Sequence, residues 1–236
     1  MATVLSVRDL TVKLDGKIII NQLSFDLHVG DLLAIIGPNG SGKTVLLKTI
    51  LRLLPYQGTI QWMKDARIGY VPQRVAANRQ LPVSVSDLLV AKTRFLGLTS
   101  TAIPRVISIT NIPTELVDAN VGTLSGGQLQ RILIAFALLG DPNVILFDEP
   151  TASLDELSEE RIYELLHHLK EDHGITLVLV SHDLSVVYRN ATKVLCMGRA
   201  GNCFGAPTEV LTPAELESLY GAPAKYYQHG PRGGAE

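Results

Sequence analysis

Gly37-Pro38-Asn39-Gly40-Ser41-Gly42-Lys43-Thr44 is the most informative segment of this sequence. It fits the phosphate-loop pattern G-x-x-x-x-G-K-[ST] at every position. The apolar run 32–36 before it predicts a buried strand, and residues 43–54 after it predict a helix. Such a loop binds phosphate through inward-turned backbone N–H groups and the positive end of the helix dipole. We expect Lys43 to reach the β- and γ-phosphates of a nucleotide, and the Thr44 hydroxyl to ligate Mg²⁺.

Two adjacent acids, Asp148 and Glu149, end a second apolar run at residues 144–147. Ligands of open α/β sheets bind at the C-terminal edge of the strands, where the phosphate loop also lies. Because successive strand side chains point to opposite faces, the two acids are expected to have different roles. We expect Asp148 to hold Mg²⁺ through water, and Glu149 to orient and deprotonate the water that attacks the phosphate.

The rest of the chain predicts an α/β fold. Short β-rich runs separated by turn residues fill residues 4–28 and indicate an antiparallel layer. Apolar strands at 144–147 and 175–180 flank an amphipathic helix, which favours a parallel sheet buried on both faces. That helix shows one apolar stripe, formed by Ile162, Leu165, Leu166 and Leu169.

Residues 74–140 differ in pattern from the β-rich regions around them. Helices are predicted at 86–94 and 128–139, with a Gly/Thr/Pro-containing patch between them. The apolar positions of the second helix predict one buried face, formed by Leu129, Ile132, Leu133 and Phe136. A capping box at 212–215 starts a last short helix, and glycines and a proline in 229–236 predict a disordered tail. No internal repeat occurs, so residues 1–228 are expected to form one cassette.

Composition limits the possible functions of the chain. It has 236 residues, of which 46% are hydrophobic, and a net charge of -2. This balance provides no basic field for nucleic acid, so no nucleic-acid partner is expected. The longest apolar runs, 132–140 and 175–180, fall far short of the roughly 20 residues that span a bilayer, and the charges at 8–9 interrupt any signal-peptide core.

The cysteines and several histidines have ordinary structural interpretations. Cys196 and Cys203 form no disulfide framework and are expected as one strand residue and one loop residue in a reducing cytosolic compartment. His167, His168 and His173 lie on a helix or at its end and are expected to be solvated.

Four further motifs now establish a resemblance. They are Gln73 at the end of the run 69–73, Leu124-Ser125-Gly126-Gly127-Gln128, Ser153-Leu154-Asp155 and Ser181-His182-Asp183. They are similar to the Q-loop, signature, D-loop and switch histidine of ABC transporter ATPases, and they occur in that family's order over residues 4–220. The resemblance implies a P-loop NTPase core with an antiparallel β-subdomain and a helical subdomain, about 74–140, inserted between Q-loop and signature.

The family resemblance also implies roles for these residues. His182 would contact the γ-phosphate and the attacking water, Gln73 would act in catalysis and at Mg²⁺, and Asp155 would lie at the nucleotide. The signature residues Ser125, Gly126, Gly127 and Gln128 begin a predicted helix and form a second anion site. A simple helix cap explains the serine but not two successive glycines. One chain with two anion sites suits a head-to-tail homodimer, formed when ATP is bound.

Leu14 departs from the family pattern. The family usually places an aromatic residue near this position, where it stacks on adenine. Leu14 covers a purine face without the stacking interaction, which contributes about 1–3 kcal/mol where bases stack on aromatic side chains. We expect weaker ATP binding or a relaxed base preference.

The resemblance favours an importer subunit. The cassette lacks fused membrane helices, and residues 117–123 lack the Glu/Arg-rich stretch of exporter cassettes. An importer ATPase would dock on integral-membrane permeases through residues 74–122, at the cytoplasmic face of the membrane. It would act indirectly with an extracytoplasmic substrate-binding protein. The sequences of residues 67–73, 195–196 and 205–210 resemble the corresponding segments in ATPases of zinc- and manganese-type metal importers.

Other functions remain open. The chain could power another ABC importer, or act without transport, as in iron–sulfur cluster assembly. A nucleotide-binding module without hydrolysis agrees poorly with the presence of both Glu149 and His182.

Overall fold

The computed structural model describes residues 2–73, 82–99, 101–152, 154–198 and 201–220. Within these residues the chain forms nine β-strands, eight α-helices and two 3-10 helices. The strands are β1 Thr3–Leu14, β2 Lys17–His28, β3 Leu32–Ile36, β4 Gln57–Trp62, β5 Ile68–Val71, β6 Val144–Asp148, β7 Thr176–Val180, β8 Lys193–Met197 and β9 Asn202–Gly205. The α-helices are α1 Lys43–Ile50, α2 Val85–Phe95, α3 Ala102–Ile109, α4 Gly126–Leu138, α5 Glu156–Glu171, α6 Leu184–Asn190, α7 Pro207–Val210 and α8 Pro213–Tyr220, and the 3-10 helices are Thr114–Leu116 and Val121–Thr123.

The strands form two sheets. Strands β2, β1 and β4 make an antiparallel sheet in that order. The second sheet has the order β5-β6-β7-β3-β8-β9 and is parallel except for β9, which pairs antiparallel with β8. Its central strands β6, β7 and β3 are buried along their whole length. This arrangement confirms the predicted α/β class with an antiparallel layer and a buried parallel sheet.

Strand β1 continues through two of the short β-rich runs in the sequence, residues 4–7 and 10–14. Positive φ values of 49° at Asp9 and 46° at Gln22 mark irregularities in β1 and β2. The register between the strands shifts on both sides of Leu10. Local irregularities of this kind let a ladder continue past polar residues, which the sequence pattern indicates as breaks.

Alternating side chains of the parallel sheet belong to different cores. Leu33 and Ile35 of β3 pack in the core shared with the antiparallel sheet and α1. Ala34 and Ile36 face the opposite side, where they pack with residues of β8 and α6–α8. A third cluster lies between β6, β7 and the helices α2, α4 and α5. The sheet is therefore covered on both faces, which explains its continuous apolar strands.

The helical region between β5 and β6 contains one helix more than predicted. Helix α3 occupies the patch that the sequence indicated as a loop, and its Pro104 lies in the first turn, where backbone N–H groups have no helical partner anyway. Helix α1 ends at Ile50, earlier than predicted, because Arg52 has a φ of 60°. Among the helices of the described ranges, none combines the length and apolar character needed to cross a bilayer.

The expected placement of the cysteines is wrong. Residues 202–205 form strand β9, where Cys203 lies directly opposite Cys196 of β8. The two residues form a disulfide bond. The sequence did not reveal this strand because Asn202 and Gly205 are weak strand formers, so its pairing comes from β8 rather than from local propensity.

Candidate nucleotide site

The phosphate loop connects β3 to α1 in a backbone conformation that glycine favours. Gly37 has a φ of 149° and Gly42 has a φ of 99°. A Cβ atom on Gly37 would lie 2.2 Å from the carbonyl oxygen of Met197, and one on Gly42 would lie 2.9 Å from Ile19 Cγ2. Strand β8 and strand β2 of the antiparallel sheet therefore both pack closely against this loop. Its shape is fixed by packing as well as by local glycine chemistry.

Lys43 lies inside the loop. Its side chain is 6% exposed, and Nζ donates to the carbonyl oxygens of Gly37 and Pro38 at 2.9 and 3.2 Å. The same nitrogen lies 3.8 Å from Glu149 Oε1. The ammonium group is thus placed between the loop and the carboxylate, where it can attract phosphate oxygens.

Asp148 at the end of β6 is 2% exposed and accepts two hydrogen bonds. Thr44 Oγ1 donates to Oδ1 at 3.0 Å, and the Tyr70 hydroxyl donates to Oδ2 at 3.4 Å. Burial raises the pKa of Asp148, the Thr44 hydrogen bond opposes this, and the charge of Glu149 adds to it. A hydroxyl beside a carboxylate is a donor set that suits Mg²⁺, because this hard cation prefers oxygen ligands.

Glu149 has a strained backbone. Its φ is 50°, which is uncommon for a residue with a side chain, and its N–H donates to Val180 at the end of β7. Its Oε2 accepts a hydrogen bond of 2.7 Å from Gln73 Nε2. Residues 74–81, which follow Gln73, lie outside the described residues. The structure thus brings together Gln73, Lys43 and Glu149, three residues that the sequence suggested for the site.

His182 lies at the same edge of the sheet. It follows β7, whose Val180 pairs with Asp148 of β6, and it is exposed. The next residue, Asp183, begins α6 by accepting hydrogen bonds from the N–H groups of Ser185 and Val186. The neighbouring cap fixes the backbone beside His182 and leaves its imidazole accessible.

The signature residues form a second, separate group. Ser125 begins α4 in a capping box with Gln128: Ser125 Oγ accepts from Gln128 N–H, and Gln128 Oε1 accepts from Ser125 N–H. A Cβ on Gly127 would lie 2.9 Å from Ser158 Oγ, and one on Gly126 would lie 3.0 Å from Leu154 Cδ2. The capping box accounts for the serine, and the close approach of Leu154 and of Ser158 on α5 accounts for the two glycines.

Asp155 belongs to this second group. It begins α5, with Oδ1 accepting from Ser158 N–H and Oδ2 accepting from Ser158 Oγ, both at 2.9 Å. These hydrogen bonds lower the pKa of Asp155. Ser153, the first residue of the suggested D-loop, lies outside the described residues. Beside Gly127 and Gln128, a cavity of about 220 Å³ is also lined by Arg131 and Arg161.

Leu14 lies outside the large groove beside the phosphate loop. That groove, of about 820 Å³, is lined by Gly40 and Ser41 of the loop, by Ile18 and Ile19 of β2, and by residues of the β8–β9 hairpin. Leu14 instead packs against the core below the antiparallel sheet. Ile18, which is 54% exposed, and Ile19 were missed in the sequence because apolar strand residues give no signal for a ligand.

Because Leu14 lies outside the groove and Ile18 lines it, we predict that Ile18→Tyr tightens ATP binding by about fivefold, through roughly 1 kcal/mol of stacking on the base, whereas Leu14→Tyr changes it little. Titration with a fluorescent ATP analogue measures the change. Leu53→Tyr is the control, since Leu53 is 64% exposed beyond the end of α1. Tighter binding in Leu14→Tyr but not in Ile18→Tyr would instead place residue 14 on the adenine.

Tyr70 is a second residue that the sequence did not reveal. In the register of the parallel sheet it pairs with Leu146, which places its side chain on the same face as Asp148. Burial, followed by the charge of Asp148, raises the pKa of Tyr70 to about 12, so the hydroxyl stays a hydrogen-bond donor. Period-two alternation in 68–71 gives the face of Tyr70, but only the strand register shows which partner it meets.

Tyr70→Phe is expected to raise the Mg²⁺ concentration for half-maximal ATP hydrolysis by about fivefold, because Asp148 Oδ2 loses a hydrogen bond that contributes roughly 1 kcal/mol. The rate at saturating Mg²⁺ should change little. Mn²⁺ binding, followed by electron paramagnetic resonance, gives a readout independent of turnover. Tyr56→Phe, at a half-buried position on the same core, is the matched control. An unchanged Mn²⁺ affinity in Tyr70→Phe would contradict this role.

The fold and the site define a class of protein. A glycine-rich loop joins a buried parallel strand to a helix, its lysine approaches Glu149 after β6, two strands away in the same sheet, and a glutamine contacts the same acid. These are the parts of a P-loop nucleoside triphosphatase.

Comparisons with known proteins make the assignment specific. Residues 20–152 match the family described as ABC transporter. The zinc import ATP-binding protein ZnuC of Mannheimia succiniciproducens is 33% identical over 92% of this chain and 81% of that protein. ZnuC of Chromohalobacter salexigens is 34% identical over 99% of this chain and 98% of that protein. This chain belongs to the ABC transporter family and is an ATP-binding, ATP-hydrolysing subunit.

Solved structures agree with this assignment. A chain of an inward-facing ABC transporter described as of the metal-chelate type has a TM-score of 0.85 and 31% identity, covering 94% of this chain and 90% of that one. The chain cbiO1 from Clostridium perfringens, part of the ABC transporter complex cbiONQ, has a TM-score of 0.77 and 27% identity, covering 92% and 93%. The predicted fold, a P-loop core with antiparallel and helical subdomains, is therefore that of ABC ATPases.

Proposed function

We propose that this chain is the ATPase subunit of an ABC importer for a divalent metal ion of the zinc or manganese type. The observation that carries the proposal is the similarity to zinc import ATP-binding proteins, which extends over 99% of this chain in one of them. ABC ATPases work at the membrane through permease partners. We place this one at the cytoplasmic face, where ATP is available, with an extracytoplasmic binding protein supplying the metal to the permease.

A second candidate substrate is a metal chelate. The solved transporter of the metal-chelate type shares 31% identity and a TM-score of 0.85 with this chain. Because the cargo passes through the permease, residues of the ATPase do not select between a free ion and its chelate. The choice therefore has to be tested with the permease present.

Purification of the chain from its native membrane, followed by reconstitution of the resulting complex in liposomes, tests the proposal. We expect a multi-spanning permease to co-purify, and ATP-driven uptake of radioactive zinc or manganese once the binding protein is added. Uptake of a metal chelate but not of the free ion would replace the first candidate with the second. Co-purification with a soluble iron–sulfur assembly scaffold, without a permease, would overturn both.

In the proposed reaction, residues Gly37–Thr44 would hold the phosphates, and Thr44, Asp148 and Gln73 would hold the magnesium ion. Bound Mg²⁺ would neutralise charge on the phosphates. Glu149 orients a water molecule for in-line attack and accepts its proton. The hydrogen bond from Gln73 to Glu149 Oε2 supports this role, because it fixes one carboxylate oxygen and leaves the other facing Lys43.

We further propose that two copies of the chain pair head-to-tail when ATP is bound. Two separated clusters support this arrangement: the phosphate loop with Asp148 and Glu149, and the signature with Asp155 on the N-terminal ends of α4 and α5. The signature of each copy would complete the site of the other, and His182 would contact the γ-phosphate. Residues 74–122, of which 74–81 and 100 lie outside the described residues, would form the permease-docking surface.

A further inference from the structure

The disulfide between Cys196 and Cys203 lies next to the phosphate loop. Cys196 is in β8, whose parallel neighbour is β3, and its partner in that register is Ile36. The phosphate loop begins at the next residue, Gly37. On the other side, Cys203 joins Cys196 to strand β9. One covalent bond therefore connects the edge strand β9 to Cys196, whose strand partner Ile36 directly precedes the phosphate loop.

The two cysteines differ in exposure. Cys196 is 4% exposed and packs in the core formed by β3, β8 and α6–α8. Cys203 is half-buried and lines the large groove that also contains Gly40 and Ser41. Its side chain lies on the same face of the sheet as Cys196, opposite Leu195 and Phe204. Because Cys203 is only partly buried on the edge strand β9, a small thiol or disulfide reaches it more readily than the shielded Cys196. This asymmetry is typical of a pair with one attacking and one resolving cysteine.

The hairpin that carries the cysteines supports the phosphate loop. The carbonyl oxygen of Met197, the residue after Cys196, is the atom that approaches Gly37 most closely. The Met197 methyl group lies 3.6 Å from the Cβ position of Gly42, so the same residue contacts both ends of the loop. Besides the ladder of β8 and β9, Gly198 N–H donates to Gly201 at 3.1 Å within the hairpin. Loosening β9 therefore removes support from the segment that holds the loop.

We propose that Cys196 and Cys203 form a reversible redox site that controls nucleotide affinity. An ATP-consuming subunit works where ATP is, in the cytosol, and cytosolic disulfides are usually transient and redox-sensing rather than structural. This inference rests on ATP binding and on the proposed cytoplasmic location, and it is independent of the transported substrate.

The oxidant in this proposal is a small disulfide such as oxidised glutathione. The Cys203 thiolate attacks one of its sulfur atoms, forming a mixed disulfide and releasing one glutathione thiolate. The Cys196 thiolate then attacks the Cys203 sulfur, closing the protein disulfide and releasing the second glutathione. Two protein thiols are oxidised, one glutathione disulfide is reduced to two thiols, and the two protons end on the released glutathione. Reduced glutathione reverses both steps.

The oxidised state should bind ATP more tightly. The cross-link holds β9 on β8 and keeps Met197 against the phosphate loop, so less conformational freedom is lost when nucleotide binds. In the reduced state β9 is held on β8 by the backbone ladder and side-chain packing alone. We expect the oxidised protein to bind ATP about three- to tenfold more tightly than the reduced protein.

The test equilibrates the full chain at defined ratios of reduced to oxidised glutathione. Alkylation and mass spectrometry count the free thiols, and a fluorescent ATP analogue without divalent metal reports the affinity. Cys203→Ser removes the cross-link and keeps the buried Cys196, so its affinity should match that of the reduced protein at every ratio. The protein without substitutions is also compared in its oxidised and reduced states, and this comparison remains valid even if Cys203→Ser folds poorly.

The proposal predicts that thiol loss and the gain in affinity follow the same glutathione ratio. Equal affinities of the oxidised and reduced protein would overturn it, as would a pair that stays reduced at every ratio. A pair that stays oxidised at the most reducing ratio would also overturn it, since that disulfide would be structural. A redox response of the same size in Cys203→Ser would show that the effect arises elsewhere.

Discussion

Glu149→Gln is expected to lower ATP turnover by about 10²- to 10³-fold, because an amide cannot accept the proton of the attacking water. ATP binding should persist. The glutamine side chain keeps an oxygen that can accept the hydrogen bond from Gln73 Nε2, now 2.7 Å long. Lys43, which lies 3.8 Å from Glu149 Oε1, loses a neighbouring negative charge and becomes freer to bind phosphate.

Steady-state hydrolysis and ATP titration of the same preparation measure both effects. The matched control is Glu164→Gln, an exposed position on α5, which should hydrolyse ATP at the normal rate. Near-normal turnover in Glu149→Gln would remove Glu149 from its proposed role, and loss of ATP binding would show that its charge holds the loop together.

The same variant tests the pairing of two chains. If the signature cluster completes the partner's nucleotide site, blocked hydrolysis should trap the ATP-bound dimer, which size-exclusion chromatography with light scattering detects. The variant should remain monomeric without nucleotide. A monomer at saturating ATP would contradict the shared site and leave the Ser125–Gln128 contact as a helix cap only.

The sequence predicted those parts of the fold that depend on local chemistry. The glycines of the phosphate loop, the acids after β6 and the cap of α4 each have a local pattern with one physical cause. The predicted apolar stripe of α5 is buried as expected, from Ile162 to Leu169. These elements carry their signal within a few residues, so no knowledge of the partner strand or helix is needed.

Helix α4 shows where local pattern reading fails. The sequence predicted one apolar face, but Leu133 and Phe136 are only partly buried, whereas Ile134 and Ala135 are fully buried. The helix packs against β5 on one side and against α2, α3 and α5 on others. At Gly69 of β5 a Cβ would lie 3.1 Å from the Ala137 carbonyl oxygen, so the helix lies very close to the sheet. Because α4 is buried from several directions, its buried residues do not form a single apolar stripe in the sequence.

The individual residues of the candidate site could be predicted from the sequence, but the contacts between them could not. Asp148 and Glu149 were identified from their position, yet the hydrogen bond from Tyr70 depends on the β5–β6 register. The contact of Met197 with Gly37 depends on the pairing of β8 with β3. Such contacts join residues far apart in sequence, and period-two patterns do not encode which strands are neighbours.

Substitution of Gly37 is also expected to have a large effect, on both stability and ATP binding. Gly37→Ala should lower the free energy of unfolding by about 3 kcal/mol more than the matched change Gly201→Ala. The two glycines have nearly the same φ, 149° and 144°, so the backbone strain of an alanine is similar at both positions. They differ in the room available for a side chain. Nothing lies within 4 Å of a Cβ on Gly201, whereas a Cβ on Gly37 would lie 2.2 Å from the carbonyl oxygen of Met197.

Because a backbone carbonyl cannot rotate away like a flexible side chain, Gly37→Ala has to displace either β8 or the phosphate loop. Displacement of the loop also breaks the hydrogen bond from Lys43 Nζ to the Gly37 carbonyl, now 2.9 Å long. We therefore expect ATP binding to fall by at least about tenfold, since each lost charge-assisted hydrogen bond is worth roughly 1.5–3 kcal/mol. Urea unfolding and ATP titration of both variants give the comparison. Equal stability of the two variants would mean that β8 and the loop move apart at little cost, which would also weaken the coupling between the cysteine pair and the nucleotide.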